Sequence, residues 1–357
     1  MVLVTRLVFG TVAYAAAWLL ASGTGARAPG ALELWSRWDA LHFFAIARDG
    51  YAGAGPFDTA FFPGFPLAIR WVSALGPSDA AAGLLVSALA CLVAFAFLYR
   101  LGEDEAGPGG GRRAVAYLAF FPTAVFLVAP YSEALFLAGA VPAFYFARRG
   151  RWVAAGLGAA LATATRFAGA FLVAGLVVEW ICTPRERSGR RLPAALAGFA
   201  IGLAPLIAYT AHLGVSTGDP LRFFTDQRQG WGRTFTDPIS AFANTWNTWS
   251  GADYPTNWIF AWRVEILAAI AGVGFVAWGL ARREWGYTAY MGTTMAALLT
   301  STWYFSIPRM LLSLFPAMLF LADATGRDSR RHEGALIVLA PLATLGVIVF
   351  TQGAWFY

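Results

Sequence analysis

Lysine is absent from this chain, cysteine occurs twice and histidine three times. Charge is scarce as well: 13% of the 357 residues are Asp, Glu, Lys or Arg, against about 25% in a soluble domain. With 58% hydrophobic residues, that scarcity excludes a water-soluble globule and leaves an integral membrane protein. Cys91 and Cys182 fall in or beside apolar runs and are expected as buried thiols, not as a disulfide. His42, His212 and His332 are too scattered for a zinc site. Gly109-Gly110-Gly111 follows no strand and no P-loop lysine accompanies it, so it is not a nucleotide cradle. Arginine without lysine, beside heavy alanine and glycine use, is the composition of a GC-rich bacterial genome.

Long hydrophobic runs are what the chain has in quantity. Measured against the ~20 residues that cross a bilayer, they predict about eleven spans. These lie at 2–21, 78–100, 114–130, 134–147, 152–165, 167–182, 194–213, 260–281, 285–304, 308–323 and 334–352. The fold class is all-α and polytopic, one membrane domain over 1–357. The first run lacks a small-residue cleavage pattern and reads as a retained span. The net charge of +6 would suit nucleic acid, but the arginines are not gathered in a soluble basic patch. Alternation from an inner N-terminus puts 16 of the 26 on the inner side. They are Arg6, Arg100, Arg112, Arg113, Arg148, Arg149, Arg151, Arg185, Arg187, Arg190, Arg191, Arg282, Arg283, Arg327, Arg330 and Arg331. The positive-inside rule and anionic lipid explain that excess, so membrane lipids and not nucleic acid are the expected partners.

Several runs are too short for a full crossing. The stretch 152–182 predicts a short hairpin with Arg166 near its tip, or a pair of helices that stop partway, and 114–147 turns at Pro130-Tyr131-Ser132-Glu133. Partial crossings are tolerated where protein or a wet cavity surrounds them, which implies an outward-facing cavity. Two long segments, 22–77 and 214–259, fall on that outer side. Both are dense in aromatics, unlike disordered chain. Thr59-Ala60-Phe61-Phe62-Pro63-Gly64-Phe65-Pro66 reads as a stiff apolar strap at the interface. Phe223 to Arg233, and Asn244 to Trp258, are either a belt of interfacial aromatics or a carbohydrate platform in which Gln227 and Trp231 touch sugar.

The densest chemistry lies in Trp38-Asp39-Ala40-Leu41-His42-Phe43. Asp39 and His42, three residues apart, share a helix face that the surrounding aromatics place at the membrane boundary; Gly50 is a natural end for that helix. Arg166 and Arg309 break the charge pattern on the outer side. A cation there either marks function or snorkels to the headgroups, and guanidinium matches phosphate bidentately. Glu133 is a second acid, an acceptor ligand or a turn residue. Glu103-Asp104-Glu105, beside glycines, reads as a solvated inner loop.

Four stretches together resemble the PIG-V family of mannosyltransferases, within the GT-C class. They are Arg37-Trp38-Asp39-Ala40-Leu41-His42-Phe43, Ala60-Phe61-Phe62-Pro63-Gly64-Phe65-Pro66, Pro130-Tyr131-Ser132-Glu133-Ala134-Leu135-Phe136 and Thr165-Arg166-Phe167-Ala168-Gly169. Order and spacing match over roughly 30–170. In the C-terminal half, Met310 follows Arg309 where the family more often has an aromatic. The resemblance implies a polyprenyl-phosphate sugar donor, most often mannose, and inverting transfer on the extracytoplasmic face of a bacterial plasma membrane. The acceptor would be lipid-linked or in the cell envelope; the family's eukaryotic acceptor does not carry over. On this reading Asp39 is the general base and His42 orients it, touches phosphate or is structural. Arg309 and Arg166 bind the donor phosphate, while Arg37, Trp38, Tyr131, Glu133, Gln227 and Trp231 contact substrate. Two arginines already meet a monophosphate's charge, so no cofactor and no divalent metal is required, and nothing forbids one. A lipid or small-molecule transporter or flippase would share the many spans. Against it, the charges sit at one face and no internal repeat is visible. A scaffold subunit of the same fold has nothing specific in its favour.

Overall fold

The computed structural model describes residues 1–21, 29–53, 55–183, 192–250, 256–326, 328–354 and 356. Among them are seventeen α-helices, a 3-10 turn at Asp58–Ala60 and an isolated bridge between Phe235 and Ser301. Five helices are long and apolar enough to cross a membrane: Val2–Leu20, Asp79–Ala106, Leu192–Thr217, Ile259–Ala281 and Ser329–Thr351. Ile307–Ser313 and Pro316–Ala324 make a sixth if they are one broken span. The protein is therefore an all-helical polytopic membrane protein, with five or six full-length candidates where eleven spans were expected. The remaining runs became shorter helices, among them Ser132–Ala147, Trp152–Thr165 and Ala168–Cys182. At ~1.5 Å per residue, helices of 14 to 16 residues fall well short of ~30 Å of hydrocarbon. Apolar side chains such as Leu3, Leu7, Leu267 and Ile337 are exposed along the long helices, as lipid-covered faces require.

The contacts divide the chain into two compact units. One comprises 1–48, 65–137 and 312–356. Here the expected span 114–130 is broken: Gly110–Ala119 ends before Pro122, and Val125–Val128 is a single turn. Proline disfavours helix at the residue before it, and the break exposes carbonyls that water would otherwise satisfy. Arg6 Nη2 donates to the Leu127 oxygen at 3.0 Å, Cys91 Sγ to the same oxygen at 3.4 Å, and Ser87 Oγ to that of Ala129 at 2.9 Å. Arg6, counted above as an inner-side anchor, therefore closes a broken backbone. Glu103 is likewise not in a solvated loop. It lies in the helix Asp79–Ala106, and its carboxylate accepts the Gly109 and Gly111 N–H groups at 3.1 and 3.0 Å.

The other unit comprises 49–64 and 138–311. The hairpin forms as expected, with Arg166 between Trp152–Thr165 and Ala168–Cys182. Small residues let its helices approach neighbours backbone to backbone, as membrane helices commonly do. A Cβ at Gly156 would lie 2.3 Å from the Gly198 oxygen, and one at Gly139 2.5 Å from that of Gly158. Arg148, another presumed topology anchor, bridges Glu284 at 2.6 Å and Glu179 at 3.3 Å and lies over the Tyr287 ring at 4.0 Å. Arg185, Arg187, Arg190, Arg191 and Arg327, also assigned to the inner side, lie outside the described residues. Cys91 is buried and free as expected, whereas Cys182 is free but exposed at the end of its helix.

Candidate functional site

The Asp39 helix begins from a strained residue. Trp38 has φ +52°, a left-handed conformation that costs a side-chain-bearing residue roughly 1–2 kcal/mol. Such strain persists where the surroundings hold it in place. The Ala40 and Leu41 N–H groups bond the Arg37 and Trp38 carbonyls, at 3.1 and 3.0 Å, closing the first turn. The helix Asp39–Gly53 then runs until Gly50, whose φ of +67° breaks it, the stop expected of that glycine. Ala40, Phe43, Phe44, Ile46 and Ala47 are its buried stripe, which leaves Asp39 and His42 half-buried at the edge. A carboxylate in the first turn also meets the positive end of the helix dipole.

Two of the residues expected to touch substrate also hold this turn. Tyr131 is buried, donates its hydroxyl to the Arg37 carbonyl at 2.9 Å, and packs edge-on against Phe43 and Phe350. Arg37 reaches the other way, donating from Nη2 to the Thr351 carbonyl at 3.3 Å. Both fix the backbone from which Asp39 starts. Trp38 keeps 40% of its surface exposed. Glu133, in the first turn of Ser132–Ala147, is fully buried.

In the second unit the two predicted phosphate ligands are brought together. Arg166 lies in extended backbone at the hairpin tip and reaches Met310 Sδ with Nη2 at 3.2 Å. Its backbone is crowded into place, since a Cβ at Gly64 would come within 2.7 Å of the Ala164 oxygen. Arg309, beside Met310 on the helix Ile307–Ser313, is only 7% exposed. Snorkelling needs an exposed head, so that reading fails for Arg309.

Two further residues join this group. Glu265, buried within the helix Thr256–Ala281, accepts the Ser306 N–H on Oε1 at 2.6 Å and the Ile307 N–H on Oε2 at 2.8 Å. Ser306 has φ +64°, a second strained residue directly before a helix of interest. Arg233 sits just past Gly232, the left-handed C-cap of Arg222–Trp231. Burial pulls the Arg233 guanidinium below its usual pKa; the Glu265 carboxylate opposes the shift and Arg166 adds to it. Sequence reasoning missed both residues. A lone acid inside a span is a functional signal, but the run 260–281 absorbed Glu265 unremarked.

Gln227 and Trp231 fall on the same short helix, Arg222–Trp231. Trp231 lies edge-on to Phe57 and to Phe61 of the strap, with centroids 6.4 and 5.7 Å apart. The strap is less interfacial than expected, because Phe62 is buried against Tyr209, Leu213 and Phe223. Buried Asp226 ties it down further, accepting from Thr59 Oγ1 at 2.5 Å and Arg222 Nε at 2.7 Å. Of the tryptophans in 244–258, Trp246 stacks on Phe242, while the side chains at 249 and 258 lie outside the described residues. Among the described residues, no three His, Cys, Asp or Glu side chains gather as metal ligands.

The chain is similar to known proteins in two respects. Residues 25–182 match the family model described as Mannosyltransferase (PIG-V). GPI alpha-1,6-mannosyltransferase 2 is 38% identical in Mus musculus and 41% in Cricetulus griseus, each over 142 residues. That region is 37% of this chain and 28% of each relative, so the chain spans little more than a quarter of the length of the curated relatives it matches. In three dimensions the chain resembles ArnT from Cupriavidus metallidurans, solved bound to undecaprenyl phosphate. The TM-score is 0.56 at 17% identity, covering 98% of this chain and 64% of that one. The fold is thus similar to that of ArnT, and the stretch holding Asp39, Tyr131, Glu133 and Arg166 is the one similar to PIG-V mannosyltransferases.

Proposed function

We propose that this protein is a mannosyltransferase that moves mannose from a polyprenyl-phosphate donor to a hydroxyl of a lipid-linked or envelope glycan. The observation that carries the reading is Asp39: a half-buried carboxylate at the start of a helix, behind a strained tryptophan, inside the stretch similar to PIG-V mannosyltransferases. Asp39 takes the proton from the acceptor hydroxyl as that oxygen attacks the anomeric carbon, a role worth about 10²–10⁴-fold. His42, one turn on, orients it. The sugar–phosphate bond breaks and the electron pair leaves with the lipid phosphate, whose charge Arg309 and Arg166 stabilise. The undecaprenyl phosphate held by ArnT is the chemical kind of leaving group assigned here. Transfer on the extracytoplasmic side follows from the donor, because a lipid phosphate reaches that face and a nucleotide sugar does not.

Product inhibition by undecaprenyl phosphate tests the phosphate half, since it separates phosphate from sugar. Arg309→Lys keeps the charge but loses the planar fork, and Arg309→Ala loses both. Inhibition is expected to weaken from wild type to Lys to Ala, with Arg166→Ala moving in the same direction. Equal inhibition of wild type and Arg309→Ala would remove Arg309 from the donor site.

A further inference from the structure

Glu265 is a carboxylate inside a membrane-spanning helix with both oxygens committed to backbone N–H groups of another segment. An isolated acid at that depth is costly, and a buried charge is retained where it does a specific task. Its two acceptors close on successive amides, Ser306 and Ile307, at the entry to the seven-residue helix that bears Arg309. The clip also holds Ser306 at φ +64°, a conformation this residue adopts only under constraint. The Ser306 and Ile307 amides at the helix entry are taken by Glu265, so they are not a phosphate cradle. Arg166 approaches the same turn through Met310.

We propose that Glu265 is the positioning residue of the donor-phosphate site, clamping the Ser306–Ile307 turn so that Arg309 is held ready for the phosphate. This rests on the assignment of Arg309 to the phosphate under the proposed function. Two amide donors need two acceptors, which a carboxylate supplies and a carboxamide does not. Glu265→Gln turns an NH₂ group toward one of the amides and leaves a buried N–H unsatisfied, which by its usual cost weakens the clamp at least ~5-fold.

The test measures the inhibition constant of undecaprenyl phosphate for the full-length enzyme, its Glu265→Gln and Arg309→Ala variants and the double variant. Glu265→Gln is expected to weaken inhibition at least ~5-fold in the wild-type background and less than ~2-fold on top of Arg309→Ala, because coupled residues are non-additive. The KM for acceptor should stay near wild type, which general unfolding would not permit. Glu265→Asp keeps the charge and one acceptor on a shorter arm; it should fall between Gln and wild type, and it carries the test if the Gln variant does not fold. Wild-type inhibition in Glu265→Gln while Arg309→Ala loses it would overturn this inference alone. Fully additive losses would overturn it as well. Wild-type inhibition in Arg309→Ala would instead strike the phosphate assignment itself, and the clamp would fall with it.

Discussion

A methyl group placed at Gly156 examines the packing that delivers Arg166. The helix Trp152–Thr165 ends at that arginine and crosses Leu192–Thr217 through Gly156 and Gly198. A Cβ at Gly156 would lie 2.3 Å from the Gly198 oxygen and 2.6 Å from its Cα, more than ~1 Å inside ordinary carbon contact. The obstacle is backbone, with no side chain to swing aside, so the helices must part. Overpacking against immovable backbone falls toward the upper end of about 1–3 kcal/mol, and replacing glycine by alanine in a helix returns about 1 kcal/mol, leaving a net loss of up to about 2 kcal/mol. Gly274 is the matched control: it sits in Thr256–Ala281 with nothing within 4 Å of its would-be Cβ, so alanine there should stabilise by about 1 kcal/mol. Thermal unfolding in one detergent, followed by tryptophan fluorescence at one scan rate, orders the three proteins. Gly274→Ala should melt highest and Gly156→Ala lowest. A Gly156→Ala protein melting at or above the wild type would refute the close crossing.

Tyr131→Phe deletes only the hydroxyl bonded to the Arg37 carbonyl; stability should fall by about 1 kcal/mol while transfer falls further, because Asp39 begins two residues after that carbonyl. Melting and turnover measured on the same sample separate the two effects. Arg148→Ala strands Glu179, whose side chain is 12% exposed, and Glu284, at 32%. The loss should be about 1–3 kcal/mol, below the 3–5 kcal/mol of a fully buried pair because the charges are partly solvated. Adding Glu179→Gln should restore part of it, as a melting series would show.

The helices of this protein were legible wherever hydrophobic period and punctuation agreed. The runs at 152–165 and 167–182 became helices with almost those bounds, because Arg166 interrupts an otherwise continuous apolar stretch. The run 114–130 misled: its residues are apolar throughout, but Pro122 denies Phe121 the helical conformation, and the chain turns inside protein. Short helices inside long loops, such as Gly64–Ser73 and Pro238–Ser250, were hidden among aromatics that mimic an interfacial belt. At the site, Asp39 was legible from local spacing alone, and Arg166 and Arg309 from charge in the wrong place. The carbonyls that Tyr131 and Arg37 bond were not legible, because polar aromatics and cations look the same whether they bind a ligand or a carbonyl. Glu265 and Arg233 depend on chain brought together from 32 residues apart in sequence (265 minus 233). No local pattern carries that.

Asp39→Asn most directly tests the central claim that this is a polyprenyl-phosphate-dependent mannosyltransferase with Asp39 as its base. The measurement is transfer of labelled mannose from purified polyprenyl-phosphate mannose by the purified protein, wild type against Asp39→Asn. The substitution keeps the shape of the side chain and removes its basicity. The account predicts transfer by the wild type and a fall of at least ~100-fold in the variant, with undecaprenyl phosphate still bound. No transfer by a folded wild type would contradict the assigned reaction, and a variant keeping more than about a tenth of wild-type turnover would be incompatible with a general-base role.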